Sequence, residues 1–452
     1  MAQIKLTKII SSHQLDNGEA EVGIGMVDED RIVVYRKANR GSVLNIIDKY
    51  EWLDDDGRSE LFAMDMEHAK EVLSRILAGK PYSASYLFYD TAKSRISEER
   101  PKSEAEHRFT STGIKFWRHQ ESMLSYRDKT GNSVICTHIS PEGACNLKCP
   151  YCSVSYRDTH SRIEIPVIQD YVEKLQSRGL KAVILTGGGE PTTYKQFNEL
   201  VQWLKYDRKL DVALITNGTM AHKVEEKSWK AFSWVRVSIN QFNGWEEKII
   251  IPHAILDPNC VVGASMVYTV EHEATNEVLL NRTEQFKKVS ALADRLGAKY
   301  IRLLPNCLLP QEQLLLQHQS LGHTLAEVGD PRYFHQFKVH GAPKSSVCHQ
   351  SYFRPYLSEE PYHEDKKPGT VYPCDSVVLN EGYQKFAKKY QICRAADILE
   401  FMDRRKEMTF NPREDCKGCV FTQNVNQLED WSNDSLDRFS EFSTPLDHEN
   451  FV

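Results

Sequence analysis

The sequence predicts an α/β protein: a partial (β/α)6 barrel on a parallel sheet, preceded by an N-terminal α+β domain and followed by a cysteine-rich extension. Three observations predict this. Between residues 132 and 306, short β-rich runs alternate with amphipathic helical stretches, the pattern of βαβ units with helices outside a parallel sheet. The stretch TAKSRISEERPKSEAEHRFTST at 91–112 is polar and charged with almost nothing to bury, so it reads as a linker. Beyond 306 the alternation stops, and five of the 11 cysteines fall between 348 and 419.

The elements follow in order. Residues 1–90 combine strand-like runs in EVGIGMVDEDRIVVYRK with a helical stretch, MDMEHAKEVLSRILAGK, and contain no cysteine. Strands are expected at 133–139, 181–187, 212–218, 234–240, 260–270 and 299–306. Between them VIQDYVEKLQSRG, TYKQFNELVQWLKYD and TEQFKKVSALADRLG carry the helical period. Six such units make a partial barrel, in which functional groups gather where strands end and loops begin. The expected divisions are 1–112 (accessory domain plus linker), 113–310 (barrel), 311–427 (extension) and 428–452 (acidic tail).

Composition narrows the class. The chain has 452 residues, enough for two or three domains, and its 40% apolar and 27% charged residues are those of a soluble globular protein. No apolar run approaches the roughly 18 residues of a membrane span, and the start lacks a secretory core. A cytoplasmic location is the default expectation, so the cysteines call for metal, catalysis or burial before disulfides. Residues 428–452 hold seven acids and one base, which leaves 56 of each sign in 1–427. The tail reads as a solvated end, and the neutral body gives a nucleic-acid partner no electrostatic support.

The strongest motif is GACNLKCPYC. Cys145, Cys149 and Cys152 form a C-x3-C-x2-C run just past the first barrel strand. One tight loop can present three thiolates to a metal centre. Structural zinc commonly takes four ligands in two separated pairs, whereas three thiolates suit a [4Fe–4S] cube with one iron left open. The alternatives are a zinc knuckle borrowing His138 or His160, or buried thiols.

CNLKCPYC, with aromatic Tyr151 before its last cysteine, resembles the radical S-adenosylmethionine (radical SAM) superfamily. The resemblance covers roughly residues 132–306. It implies that SAM's methionine part chelates the open iron, that one electron cleaves the sulfonium, and that a 5′-deoxyadenosyl radical takes hydrogen from substrate. It also implies an electron donor such as a flavodoxin or ferredoxin. Gly187, Gly188, Gly189, Glu190 and Pro191, closing the second strand, look like the family's GGE motif. There backbone carbonyls would approach the SAM ammonium and Glu190 would add negative charge. Asn217 after the third strand, and Ser238 and Asn240 after the fourth, resemble positions that bond SAM's ribose and carboxylate. No adenine-side G-x-I-x-G-x-x-E pattern is recognisable in GASMVYTV. No catalytic acid or base is assigned; Arg157, His138, Tyr268 and Arg302 are candidates by position, each with a structural alternative.

Downstream, Cys374 closes GTVYPC after Gly369, and Cys416-Lys-Gly-Cys419 forms a knuckle. Four cysteines, Cys348, Cys374, Cys416 and Cys419, suit a fully ligated cluster or a tetrahedral zinc, and spacing does not separate the two. After a radical SAM barrel the pattern is similar to the twitch extension, a shortened SPASM domain. That implies these four cysteines hold an auxiliary [4Fe–4S] cluster used for electron transfer. Cys393 reads as a buried helix residue, and Cys136, Cys260 and Cys307 as core or spare thiols. The resemblance favours a peptide or protein side chain as substrate, docked through residues 1–90. A small molecule, sugar or nucleoside is the alternative. A third class, a cluster-binding electron carrier without SAM chemistry, has no need of GGGEP, TNG and VSIN.

Overall fold

The computed structural model describes 108–110, 113–239, 246–268, 276–309, 328–336, 341–380, 388–434 and 438–452. It also describes isolated positions 314 and 325 and, in the N-terminal part, 8–14, 20–26, 32–38, 44–46, 52–53, 59–60, 70, 73–74 and 77. The chain divides into two compact units, Met1–Pro101 and Lys102–Val452.

In the first unit, β1 (Lys8–Gln14), β2 (Ala20–Met26), β3 (Ile32–Ala38) and β4 (Leu44–Ile46) form an antiparallel sheet in sequential order. Ile24 and Val34 are buried on it, and Ile9 is exposed. β5 (Trp52–Leu53) and β6 (Ser59–Glu60) make a small separate pair. Of the expected helix MDMEHAKEVLSRILAGK, the described residues 70, 73, 74 and 77 are helical and the rest lie outside the described residues.

The second unit is built on six parallel strands, each hydrogen-bonded to the next in chain order. They are β7 (Cys136–Ile139), β8 (Ala182–Leu185), β9 (Asp211–Thr216), β10 (Phe232–Ser238), β11 (Val261–Tyr268) and β12 (Ile301–Pro305). CTHI and AVIL are buried along their whole length, as expected for parallel strands covered on both faces. Helix α1 (Gln120–Arg127) leads into the barrel. The helix α2 (Ile165–Gln176) starts with a proline in its first turn, whose fixed φ suits that position. Its Ile165, Ile168, Tyr171, Val172 and Leu175 form one buried stripe against the sheet. The crossovers then shorten to α3 (Phe197–Gln202) and α4 (Glu226–Trp229), and only 3-10 turns are described between β10 and β11. The helix α5 (Asn276–Arg295) restores a long crossover before β12.

The sheet continues past both barrel edges. β13 (Tyr333–His335) adds in parallel to β12, and β14 (Tyr356–Pro361) adds in parallel to β7. β15 (Pro368–Tyr372) and β16 (Cys393–Arg394) then pair antiparallel, giving ten strands in one sheet. Cys393 is buried as expected, but in a strand opposite Val371 and not in a helix.

The acidic tail differs from the solvated end expected of it. Its first residues belong to helix α6 (Thr422–Asp434). Residues 438–452 pack beneath the barrel at the starts of its strands. Arg118 pairs with Glu449 (2.9 Å) and Arg108 with Asp447 (2.6 Å). Asn450 donates to Asp211 at the start of β9 (2.8 Å), and Phe451 packs edge-on against Trp234 of β10. Apolar Phe451 and Val452 bury, and partners from distant sequence neutralise the acids around them. The linker differs as well. Of 91–112, residues 91–107, 111 and 112 lie outside the described residues, whereas Phe109 stacks on Tyr300 and gives its carbonyl to Arg236 (2.6 Å). Among the described residues no helix is long and apolar enough to cross a membrane.

Candidate functional site

The loop after β7 carries Cys145, Cys149 and Cys152, all half-buried, and none of the 11 cysteines forms a disulfide. The backbone turns tightly here, with the Cys152 amide donating to the Cys149 carbonyl (3.1 Å). The loop is laced to the GGG turn after β8: the Gly189 amide donates to Glu142 (3.1 Å) and the Glu190 amide to Ala144 (2.8 Å). Gly189 is required by this approach, because a Cβ there would overlap the Ala144 carbonyl oxygen. Arg157 locks the other side of the loop. Its Nε donates to the Gly143 carbonyl (2.7 Å), and its Nη1 reaches the Val154 carbonyl (2.9 Å) and the Cys152 sulfur (3.4 Å).

Glu190 is buried, and its carboxylate is fully occupied by protein donors. Oε1 accepts from the Thr192 amide and hydroxyl and from the Thr216 hydroxyl (3.2, 2.6 and 2.6 Å), and Oε2 from the Asn217 amide (2.7 Å). Burial raises its pKa and these four bonds oppose that. Asn217 in turn donates to Asn146 of the cysteine loop (2.9 Å). Glu190 therefore ties the ends of β8 and β9 together and, through Asn217, reaches the cysteine loop. Pro191 begins the 3-10 turn that Glu190 caps. Ser238 ends β10, half-buried, and Asn240 lies outside the described residues.

A second carboxylate, absent from the sequence reading, faces the same turn. Glu359 of β14 is fully buried, and a Cβ on Gly188 would overlap its Oε1, which has no hydrogen-bond partner among the described residues. Ser358 donates to its Oε2 (3.2 Å), and burial raises its pKa. Nothing in the sequence placed β14 beside the first barrel strand, so Glu359 had no visible connection to the turn.

Inside the barrel lies a cavity of about 250 Å³ lined by Tyr151 and Ser153 of the cysteine loop, His138, Arg302 and Gln336. Ser376, Leu379, Val420 and Phe421 of the C-terminal region line its other side. Cys307, expected as a core or spare thiol, borders this cavity. Tyr268 stacks on Phe286 of α5 and is not among the lining residues. Burial pushes His138 down to about 3, so its ring is neutral.

The second cysteine set also converges. Cys348, Cys374, Cys416 and Cys419 line one small cavity with Pro373, Ser376, Val420 and Phe421. Ser376, Val420 and Phe421 thus border both cavities. Gly418 lets the knuckle fold, since a Cβ there would overlap the Leu379 carbonyl, and its amide donates to Asn380 (2.8 Å). Burial and then the neighbouring thiols raise Cys348 (to about 12) and Cys416, and burial and then Asp375 and the other thiols raise Cys374. Four sulfurs that repel one another's charge suit a multiply charged centre that compensates them. Among the described residues, no three His, Cys, Asp or Glu side chains converge on one point as ligands of a single ion.

Residues 139–249 match the radical SAM superfamily. A probable GTP 3′,8-cyclase of Pyrococcus horikoshii is 33% identical over 132 residues, 29% of this chain and 42% of the relative. An S-adenosylmethionine-dependent nucleotide dehydratase of Selenomonas ruminantium is 30% identical over 83 residues, 18% of this chain and 29% of the relative. The chain thus spans about two fifths or less of the length of these relatives. Among solved structures, Streptococcus suis SuiB bound to precursor peptide SuiA aligns with a TM-score of 0.43 at 11% identity, over 82% of this chain and 91% of that one. The segment that matches the radical SAM superfamily holds the cysteine loop and the GGG turn.

Proposed function

We propose that this enzyme binds a [4Fe–4S] cluster on Cys145, Cys149 and Cys152 and SAM beside it, and modifies a substrate held in the barrel cavity. Bound together, these cofactors supply reductive SAM cleavage and hydrogen-atom abstraction. The protein positions them and shields the site. The observation that carries the reading is the direct bonding of the cysteine loop to the GGG turn, with Tyr151 and Ser153 lining the barrel cavity. Gly187, Gly188 and Gly189 offer backbone toward the methionine end of SAM. Glu190 holds Asn217 in place, while Ser238 and Asn240 serve the ribose and carboxylate side.

Cys348, Cys374, Cys416 and Cys419 hold an auxiliary [4Fe–4S] cluster. Four thiols bordering one small shared space support a fully ligated centre there. Three residues border both cavities, which supports a second centre close to the substrate, where it can take an electron from it. The substrate is a peptide or protein side chain, since the cavity admits one such group. The nucleotide-related relatives and the basic lining of the cavity favour a second reading, a phosphate-bearing small molecule. The electron donor is a flavodoxin or ferredoxin.

Anaerobic reconstitution with iron and sulfide, followed by reduction with SAM, tests the proposal. About eight irons per chain and 5′-deoxyadenosine are expected for two clusters. About four irons plus one zinc would replace the auxiliary cluster with zinc, and no 5′-deoxyadenosine would refute the enzymatic reading.

A further inference from the structure

The barrel cavity has a charge imbalance that the protein does not resolve. Four guanidinium groups, Arg108, Arg236, Arg302 and Arg354, line it with a single lining carboxylate, Asp375, and of these Arg108 is paired with Asp447 of the tail. Asp375 already lies 3.7 Å from both Arg354 and His138. Arg236 is satisfied by the Tyr300 hydroxyl (3.0 Å) and the Phe109 carbonyl (2.6 Å). Arg302 has no such arrangement. It projects from β12 into the cavity, and its Nε has no hydrogen-bond partner among the described residues.

Other polar atoms are left open around the same space. Among the described residues, His138 is 6% exposed with neither ring nitrogen hydrogen-bonded, Gln336 is 7% exposed with a bare Oε1, and Arg354 is 3% exposed with an unbonded Nη2. Buried polar atoms are ordinarily satisfied, and several orphans around one cavity mark groups that wait for a partner. A buried cation without a counter-charge is among the costliest arrangements a fold can hold. The local potential is strong enough to lower Arg302 to about 9, through burial and then repulsion by Arg236. Nearby Lys115 falls to about 7, again through burial and then Arg236.

We propose that the substrate carries an oxyanion, a carboxylate or a phosphate, that seats on Arg302, with Arg354, His138 and Gln336 completing its hydrogen bonds. The inference rests on the reading of the barrel as the substrate site and names the chemical class that site accepts. A guanidinium provides a planar fork of donors that matches either anion. The neutral His138 ring donates one further bond, and the Gln336 carbonyl accepts from a hydroxyl or amide on the substrate. The cavity of about 250 Å³ admits such a group together with a small scaffold or one side chain.

The test uses the reconstituted holoenzyme and its Arg302→Met and Arg302→Lys variants, with inorganic phosphate and malonate as probes and SAM as a separate arm. At millimolar concentrations phosphate, malonate or both should raise the melting temperature of the parent protein, and the responding probe identifies the anion. Arg302→Met should weaken that binding about tenfold or more, the loss of a charge-assisted pair, and Arg302→Lys should retain part of it. Without any probe, Arg302→Met should melt no lower than the parent, because an uncompensated buried charge has been removed. Equal response of Arg302→Met and parent to both probes overturns the proposal. So does a tenfold loss of SAM affinity in Arg302→Met, which would assign the anion to SAM's own carboxylate. Whether the chain cleaves SAM is decided on the parent protein alone, so the two readings fail separately.

Discussion

Glu190→Gln is the substitution whose outcome the structure defines most closely. The amide is nearly isosteric, so packing is preserved and only hydrogen-bond polarity changes. Three donors converge on Oε1 and one on Oε2. The glutamine therefore turns its carbonyl toward Thr192 and Thr216, and its NH2 then faces the Asn217 amide, donor against donor. One charge-assisted bond is lost, and a buried N–H is left without an acceptor, together about 3 kcal/mol. At 1.4 kcal/mol per decade this raises the opening equilibrium of the Asn217 turn about 100-fold. Amide hydrogen exchange on the protein should show that loss at Asn217 and Gly218, with the centre of β9 unchanged. Because Asn217 holds Asn146, the effect should spread to the cysteine loop and lower SAM affinity. Unchanged protection at Asn217 would show that the four bonds do not hold the turn, and the bracing role of Glu190 would be abandoned.

Other outcomes follow from the same geometry. Arg157→Gln removes the N–H donor to the Cys152 sulfur and should lower the reduction potential of the cluster bound there, on the order of tens of millivolts, in an EPR-monitored titration. Cys374→Ala should halve iron content after reconstitution, from about eight to about four per chain, and full iron content would remove Cys374 from the ligand set. Gly189→Ala should displace the cysteine loop by forcing a methyl group against Ala144, read as loss of the reconstituted cluster's visible absorbance. His119 and His448 are each pushed down to about 4 by burial. The unfolded chain takes up protons near 6.5 and the folded chain resists, so stability is fully present above 6.5 and falls as pH drops toward 4. Between pH 6.5 and 5 the two groups together remove up to about 4 kcal/mol, measurable as a fall in the urea midpoint. A flat midpoint over that range would contradict their burial as neutral rings.

The six barrel strands were readable because parallel strands buried on both faces are near-continuous apolar runs, as AVIL and DVALIT show. The cysteine loop and the GGG turn were readable because tight spacing within one loop survives translation into three dimensions. β13 and β14 were not. YFH and YLSEEP are short and polar, and a buried Glu359 inside a strand looks like a loop residue until its neighbours are known. The tail was misread for a related reason. Its acids dominate the composition, while their partners Arg108 and Arg118 stand more than 300 residues earlier in the chain. The basic cavity was hidden by the same averaging. A body with equal numbers of both signs still gathers Arg236, Arg302 and Arg354 from three separate elements around one space.

The continuous ten-stranded sheet also governs how this protein can vary. β14 lies directly beside β7, so the segment bearing Cys374 is joined to the strand that leads into the first cysteine loop by backbone hydrogen bonds. There is no hinge between the two cysteine sets along that path. Insertions in the loops after β12 or β15 would lengthen the surface and leave the spacing of the two sets untouched. A one-residue slip of β14 against β7 would turn Glu359 away from the GGG turn and carry the cysteines after it out of position. Sequence drift in this chain should therefore accumulate as loop length, while strand register stays fixed.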